Sequence, residues 1–415
     1  MQHTRRSLAV LHIEGAKCLF CIRDNKNNNN RCSADLENLM IIRIFALIAA
    51  LTILAACGAP ATVVEPRARL AVAEAMAGGN VDGFARATAP RPFTFPGDHG
   101  PHPEYAIEWW YYTGNLQSVE GRRFGFQFTI FRTGLMPGEP ERSSAWASSS
   151  IYMAHFALSD ISGGRFYAFE RFSRGAAGLA GAQSEPFRVW LEDWSTEGLG
   201  ADGTPMRLRA AEDGVALDLT LTAGKPPVLQ GDRGLSQKSA ETGNASYYYS
   251  FTRMPISGTV RIGETPYQVS GLGWMDREWS TSALGADQVG WDWFALHLDD
   301  GRDLMFYRLR LRDGGIDPYS KGVLVDVSGN AQHLSRDEVL AEPLDYWTSP
   351  RSGATYPARW RLRVPDEAID LTLTPLLADQ ELPVTVVYWE GAVAISGSAT
   401  GSGYIEMTGY TPEDR

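Results

Sequence analysis

The sequence predicts an all-β protein built from two fused antiparallel barrels, and three observations predict it. Apolar and polar residues alternate with period two in short runs. Ala216-Leu-Asp-Leu-Thr-Leu-Thr222 does so cleanly, and Phe124-Gly-Phe-Gln-Phe-Thr-Ile-Phe131 places its aromatics on one face, as a half-buried strand requires. Asp-Gly, Gly-Gly and Ser-Gly turns separate such runs, glycine supplies 42 of 415 residues, and long helical periodicity is absent. The third observation is that the chain repeats itself.

Ala216–Thr222 returns as Ala368-Ile-Asp-Leu-Thr-Leu-Thr374, Arg207-Leu-Arg209 as Arg361-Leu-Arg363, and Leu191-Glu-Asp-Trp194 as Leu344-Asp-Tyr-Trp347. Ile256-Ser-Gly258 returns as Ile395-Ser-Gly397, Tyr249 as Tyr388, and Trp110 with Gly121-Arg122 as Trp293 with Gly301-Arg302. The matches are collinear, which means two tandem copies of one unit, the second with shorter loops. Closing each copy into a barrel removes exposed sheet edges. A barrel of roughly eight strands has room for one small apolar ligand. The predicted domains are 98–284 and 285–415, after a linker over 57–97 with one short helix near 68–76.

The N-terminal part reads as an address. Met40-Ile-Ile-Arg43 gives a basic start, an apolar run follows from Ile44 to Leu54, and the segment ends Leu54-Ala-Ala-Cys57-Gly58. The run is too short to span a bilayer of ~30 Å and fits the core of a secretory signal over 40–56. The Leu-Ala-Ala-Cys ending resembles the bacterial lipobox, so acyl chains on Cys57 are expected to tie the protein to a membrane leaflet. Gly58 after the cysteine favours outer-membrane sorting in a Gram-negative cell. Residues 1–39 read as an upstream extension, with Met40 as the start.

Composition narrows the chemistry. All four cysteines lie at or before Cys57, so the body has no disulfide framework, thiolate metal site or cysteine nucleophile. Beyond residue 56 there are 31 basic and 45 acidic residues, with only Lys225, Lys238 and Lys321 as lysines. That balance argues against a nucleic-acid partner. No cofactor is expected. Asp98, His99, His102 and Glu104 lack the spacing of a metal site, and a Pro-rich loop is the better account of them. No Gly-x-Ser-x-Gly elbow occurs.

All 12 tryptophans follow residue 100, and carboxylates recur beside them. Glu108-Trp109-Trp110, Trp274-Met-Asp276-Arg-Glu278-Trp279, Trp291-Asp-Trp293 and Tyr388-Trp-Glu390 are the clusters. Aromatic rows in barrels are commonly just core, but core packing does not explain the acids. Alternation sets Trp274, Asp276 and Glu278 on one face, with Met275, Arg277 and Trp279 on the other. Were the first face to point inward, two carboxyl groups would enter an apolar cavity, and burial would raise their pKa. A protonated Asp276 beside such a pocket is a general acid, and aromatic faces stabilise the cation left by alkene protonation. Alternatively, Arg277 or Arg132 pairs with these acids and locks the barrel mouth. His155 and His297 fall in strand-like runs and read as core or rim residues, and Tyr247-Tyr-Tyr249 as a strand with a phenol facing inward.

Five motifs carry a resemblance: His102 to Leu116, Asn244 to Ser250, Trp274 to Trp279, Gly290 to Phe294 and Tyr388 to Gly391. They resemble the AttH-like family, which includes the carotenoid 1,2-hydratases (hydroxyneurosporene synthases), and the likeness extends over 93–410. It implies two lipocalin-like calycin barrels, export or lipid anchoring, and for some members an ABC-transporter association. It also implies Asp276 as the acid that protonates a terminal double bond. The hydratases place a His and a Trp in the stretch matching Tyr247 to Tyr249, and a Tyr at the position of Trp274, so this chain keeps the acid and changes its neighbours.

The resulting expectation is an envelope lipoprotein that binds an isoprenoid, polyene or lipid and acts as a hydratase-like hydro-lyase. Asp276 is the acid, Glu278 raises its pKa, Trp274 and Tyr249 face the cation and Tyr247 places the water. Glu108, Trp109, Trp110, Trp279, Trp291 and Trp293 line the ligand. The alternatives are a non-catalytic lipid carrier or accessory of an ABC-type exporter, and a structural lipoprotein with solid barrels.

Overall fold

The structure, a computed structural model, describes residues 81–138, 144–282 and 284–411. The expected upstream extension, the signal segment 40–56, Cys57 and the short helix near 68–76 lie outside these residues. Among the described residues, helix is limited to three short 3-10 turns.

The first sheet comprises β1 (Ile107–Ser118), β2 (Arg123–Gly134), β3 (Ser150–Asp160), β4 (Arg165–Arg174), β5 (Ala180–Ser184), β6 (Phe187–Leu191), β7 (Trp194–Gly198), β8 (Met206–Glu212), β9 (Val215–Leu221), β10 (Val228–Leu229), β11 (Leu235–Gln237), β12 (Ala245–Ile262) and β13 (Thr265–Ser280). The second comprises β14 (Gln288–Leu298), β15 (Asp303–Leu311), β16 (Lys321–Val325), β17 (Ala331–Ser335), β18 (Leu340–Thr348), β19 (Thr355–Val364), β20 (Ile369–Pro375), β21 (Glu381–Leu382), β22 (Tyr388–Gly397) and β23 (Gly401–Met407).

Strand order proves the duplication. The first sheet runs β4-β3-β2-β1-β13-β12-β9-β8-β7-β6-β5 and the second β17-β16-β15-β14-β23-β22-β20-β19-β18. β14 to β17 take the places of β1 to β4, β23 and β22 those of β13 and β12, and β20 to β18 those of β9 to β7. The repeats fall on these pairs: Trp110 in β1 and Trp293 in β14, Arg207 in β8 and Arg361 in β19, Ile256 in β12 and Ile395 in β22. Even a cross-strand ion pair is copied. Arg207 donates to Asp218 at 2.8 and 2.7 Å, and Arg361 to Asp370 at 2.9 and 2.6 Å. Both sheets exceed the expected eight strands, since β5 and β6 extend one edge of the first and the short β10, β11 and β21 pair onto β12 and β22.

Each sheet curls around its own apolar core. Trp110, Tyr112, Phe126, Phe128, Phe156 and Trp194 fill the first, and Phe294, Leu296, Phe306, Trp360, Trp389 and Ile405 the second. Across the open seam of the first barrel, Arg171 of β4 reaches β8, donating to Glu212 at 2.9 Å and lying 4.4 Å over the Trp194 ring. The expected linker is not loose from residue 81 onward. Ala87 is buried, and Phe93 lies 5.5 Å from Trp279 and 6.0 Å from Tyr249, closing one end of the first barrel.

A third apolar layer joins the two barrels through their outer faces: Tyr111, Tyr248 and Trp274 against Trp293, Met305 and Tyr307. An ion cluster secures it. Asp303 of β15 is fully buried and accepts from Lys225 at 2.8 Å, Arg253 at 2.9 Å and Thr252 at 3.0 Å, all from the first barrel. Removing one partner of a buried ion pair costs about 3–5 kcal/mol, because the other charge is left stranded. Asp303→Ala is therefore expected to lower denaturant stability by about that amount; a loss below about 1 kcal/mol would show that the clamp is not needed.

Candidate functional site between the barrels

Register decides which side chains meet. In antiparallel strands, directly opposed residues share a face. On β13, Asp276 is opposed by Tyr111 of β1 and Ser250 of β12, and Glu278 by Tyr248 of β12. This face, with Trp274, points out of the first barrel and onto the second. The expectation of an acid inside a closed sheet is corrected accordingly: Met275, Arg277 and Trp279 enter the first barrel, and Asp276 enters the space between the two. Strand β13 is buried on both faces from Gly273 to Ser280.

That space holds a cavity of about 150 Å³. Its aromatic wall includes Trp109, Tyr111, Phe131, Trp291 and Trp293, and its acids are Glu108, Asp276, Glu278, Glu390 and Glu406. Both barrels contribute.

Asp276 is 4% exposed. Its Oδ1 accepts from Ser250 Oγ at 2.5 Å and Trp274 Nε1 at 2.7 Å, and its Oδ2 from the Tyr248 hydroxyl at 2.6 Å. Burial pushes the carboxyl up to about 7 against the opposing pull of these three donors, with a smaller upward push from Glu278. No guanidinium touches it among the described residues. Glu278 is instead an ion-pair partner, 3.0 Å from Lys238 and hydrogen-bonded by Ser246. Burial opposes the Lys238 charge, but Glu278 and Tyr307 outweigh it and hold its pKa up. The ammonium lies 4.4 Å over the Tyr307 ring.

The arginine clamp acts on a different acid. Glu108 is fully buried between Arg132 and Arg277, which both pair with it, and also accepts from the His102 backbone N–H at 3.0 Å. The two guanidinium groups hold its carboxyl well below the usual range despite burial. Glu108 borders the cavity, but it is opposed by Trp279 and pairs with Arg277, so its carboxylate turns into the first barrel, where both oxygens are committed and it carries no proton.

The predicted residues thus divide into two groups. Asp276, Glu278, Glu108, Trp109, Trp291 and Trp293 line the cavity, and Trp274 touches Asp276 and packs edge-on against Trp293 at 6.1 Å. Tyr247, Tyr249, Trp110 and Trp279 face the other way, into the first barrel and its cap. Tyr247 donates to Ala89 O at 2.8 Å, Tyr249 meets His99 Nδ1 at 2.6 Å, Trp110 donates to His99 O at 2.6 Å, and Trp279 stacks on His102 at 3.8 Å. The phenol on Asp276 is the one between the two tyrosines singled out from the sequence. A bulge between Phe251 and Met254 is the reason. Unbulged pairing from the Ile262–Thr265 hairpin would oppose Phe251 to Asp276 and Tyr249 to Glu278. One extra residue flips the strand and brings Tyr248 over instead.

Sequence reasoning also missed Lys238, Glu406 and the pairing of Glu406 with Glu390. These two glutamates are directly opposed on β23 and β22. Tyr111 of the first barrel donates to Glu390 Oε1 at 2.8 Å, while Glu390 Oε2 has no hydrogen-bond partner. Burial pushes both carboxyls up, and Glu406 pushes Glu390 further. His155, also on the wall, is held between the Tyr388 hydroxyl at 2.8 Å and Glu170 at 3.2 Å. His297 binds Thr252 O at 2.7 Å.

A family model described as AttH-like matches residues 86–410. The chain belongs to the AttH-like family. A solved AttH structure from Nitrosomonas europaea is 35% identical over 79% of this AttH-like chain and 100% of that one, with a TM-score of 0.71. Kievitone hydratase from Nectria haematococca shares the fold at 15% identity and a TM-score of 0.59, over 79% and 97% of the two chains. The dehydratase asqC of Emericella nidulans is 28% identical over 106 residues, and the matched stretch takes in 28% of that protein and 25% of this one. The two-barrel architecture implied by the motifs is the architecture found.

The raised carboxyl has a consequence for stability. A group whose folded pKa lies above its unfolded value contributes stability that is present at low pH and lost as pH rises through the folded value. For Asp276 the window runs from the unfolded value of 3.8 to about 7, worth at most about 4 kcal/mol at 1.36 kcal/mol per unit. Asp276→Asn is expected to gain stability relative to the parent between pH 4 and pH 8. Parallel pH profiles for the two proteins would contradict the assignment.

Proposed function

We propose that this AttH-like protein is a hydro-lyase that adds water to, or removes it from, a carbon–carbon double bond of an apolar small molecule held between its barrels. One observation carries the reading: a buried carboxyl on the wall of an aromatic cavity, held only by the neutral donors Ser250, Trp274 and Tyr248, an environment that pushes its pKa up to about 7. Oδ1 is saturated by Ser250 and Trp274, so the transferable proton belongs on Oδ2. There the Tyr248 hydroxyl can turn from donor to acceptor. In hydration that proton goes to one alkene carbon, and positive charge grows on the other. The faces of Trp109, Tyr111 and Trp293 stabilise such charge by ~0.5–2 kcal/mol each. Water then bonds to the cationic carbon and loses a proton, and dehydration is the reverse.

The names of two relatives, a hydratase and a dehydratase, support this reaction class. An isoprenoid or polyene suits the aromatic wall. At about 150 Å³ the cavity takes the reacting end of a long chain or one compact ring system. Export and anchoring through acylated Cys57 belong to the same proposal, since an apolar substrate is found in a membrane. A carrier serving an ABC-type exporter would use the same cavity without turnover.

Turnover separates the two readings. With a panel of isoprenoid alkenes and their alcohols in oxygen-18 water, label is expected in the product. The rate should fall as pH rises above about 7, and Asp276→Asn should lose about 10²–10⁴-fold. Equal rates for the two proteins would overturn the role of Asp276. Cys57→Ser is expected to move the protein from the membrane fraction to the soluble one; unchanged fractionation would remove the anchor.

A further inference from the structure

The reaction above needs a second group to manage the oxygen, and Asp276 cannot do so while it delivers a proton. Opposite it, on the second barrel, the cavity holds Glu390 and Glu406. Glu390 is 1% exposed and lines the cavity, and its Oε2 is buried without a partner. Burying an unsatisfied polar oxygen costs roughly 1–3 kcal/mol, so the vacant bond is a demand that an occupant can meet. Among the described residues no lysine or arginine pairs with either glutamate. Lys238 is engaged by Glu278, and Arg132 and Arg277 by Glu108.

Position matters as well. Tyr111 starts opposite Asp276 on the neighbouring strand and ends with its hydroxyl on Glu390 Oε1. One tyrosine side chain therefore spans the gap from the strand of the proton donor to the Glu390 carboxyl, along the aromatic wall.

We infer that Glu390, backed by Glu406, is a hydroxyl-binding subsite, and that the cavity takes an apolar molecule whose hydroxyl, or an attacking water, is held there opposite Asp276. A hydroxyl fits better than a carbonyl or an ether because it both donates and accepts. Burial raises both carboxyls, so Glu390 Oε2 presents an O–H or, once ionised, a lone pair, and a hydroxyl or water satisfies either. Directly opposed across two strands and buried, the pair cannot readily carry two charges. Its role in chemistry rests on the proposed function. In hydration, Asp276 gives a proton to one carbon, the oxygen of the water held at Glu390 bonds to the other, and the water's proton goes to the Asp276 carboxylate left by the first step, which closes the cycle.

Binding alone tests the subsite, using probes that offer no alkene to hydrate, so a failure of the proposed reaction does not affect the result. The probes are 2-naphthol and naphthalene, measured by calorimetry on the full protein. The parent should bind 2-naphthol about tenfold more tightly, the value of one hydrogen bond to a charged or shared acceptor. Glu390→Met keeps the shape, removes the acceptor and should bring the two affinities within about twofold, while Glu406→Gln should retain the preference. Equal affinities in the parent, no binding of either probe, or a preference that survives Glu390→Met would overturn the subsite. If Glu390→Met does not fold, the parent ratio decides alone.

Discussion

The site depends on one constraint: a carboxyl group on a stretch of strand that has no wet face. From Gly273 to Ser280, β13 packs its odd-numbered side chains into the first barrel and its even-numbered ones against the second. Asp276 is therefore buried on a stretch covered on both sides, and its charge must be suppressed or matched. The protein treats its neighbouring acids differently. Glu108 receives two guanidinium groups and stays ionised, Glu278 receives Lys238, and Asp276 receives only neutral donors. Carboxyls set in unlike environments on one wall acquire unlike protonation states, which is how a fold separates acid from structural anion.

Duplication explains why the site lies between the barrels. Each copy has an inner face large enough to make its own core, and the first barrel's buried Glu108 is fully paired there by Arg132 and Arg277. The outer faces of β13 and β23 occupy equivalent places in the two sheets. Asp276 on β13 is opposed by Ser250 and Tyr111, and Glu406 on β23 by Glu390 and Trp293. Packing one copy's outer face on the other's brings an acid from each to a shared space. The Lys225–Arg253–Asp303 cluster then holds that arrangement at its edge.

Much of this was legible before any coordinates. Period-two alternation and glycine turns indicated strands, and the repeats from Trp110/Trp293 to Ile256/Ile395 indicated the duplication, because both features are local or self-referential. The cavity acids Asp276 and Glu278 and the tryptophans at 109, 291 and 293 were visible as acids beside aromatics. Two things were not legible. A bulge has no signature in a run as uniform as Tyr247-Tyr-Tyr249, so the face presented by β12 was reversed and Tyr248 was passed over. Nor does alternation say whether a face buries against its own barrel or against a second one, and so Lys238, Glu406 and the Glu390–Glu406 pairing were missed. The outer face of a duplicated barrel looks like a core face when another copy covers it.

The central claim is that the Asp276 side chain keeps its proton far above the ordinary carboxylate range, up to about pH 7. Infrared difference spectroscopy between the parent protein and Asp276→Asn, taken across a pH titration, isolates the carbonyl stretch of that one protonated carboxyl. The account predicts a band that persists through the acid range and disappears with a midpoint near 7. A carboxylate signal already complete by pH 5 would contradict it, and would leave the protein an aromatic cavity without a proton to give.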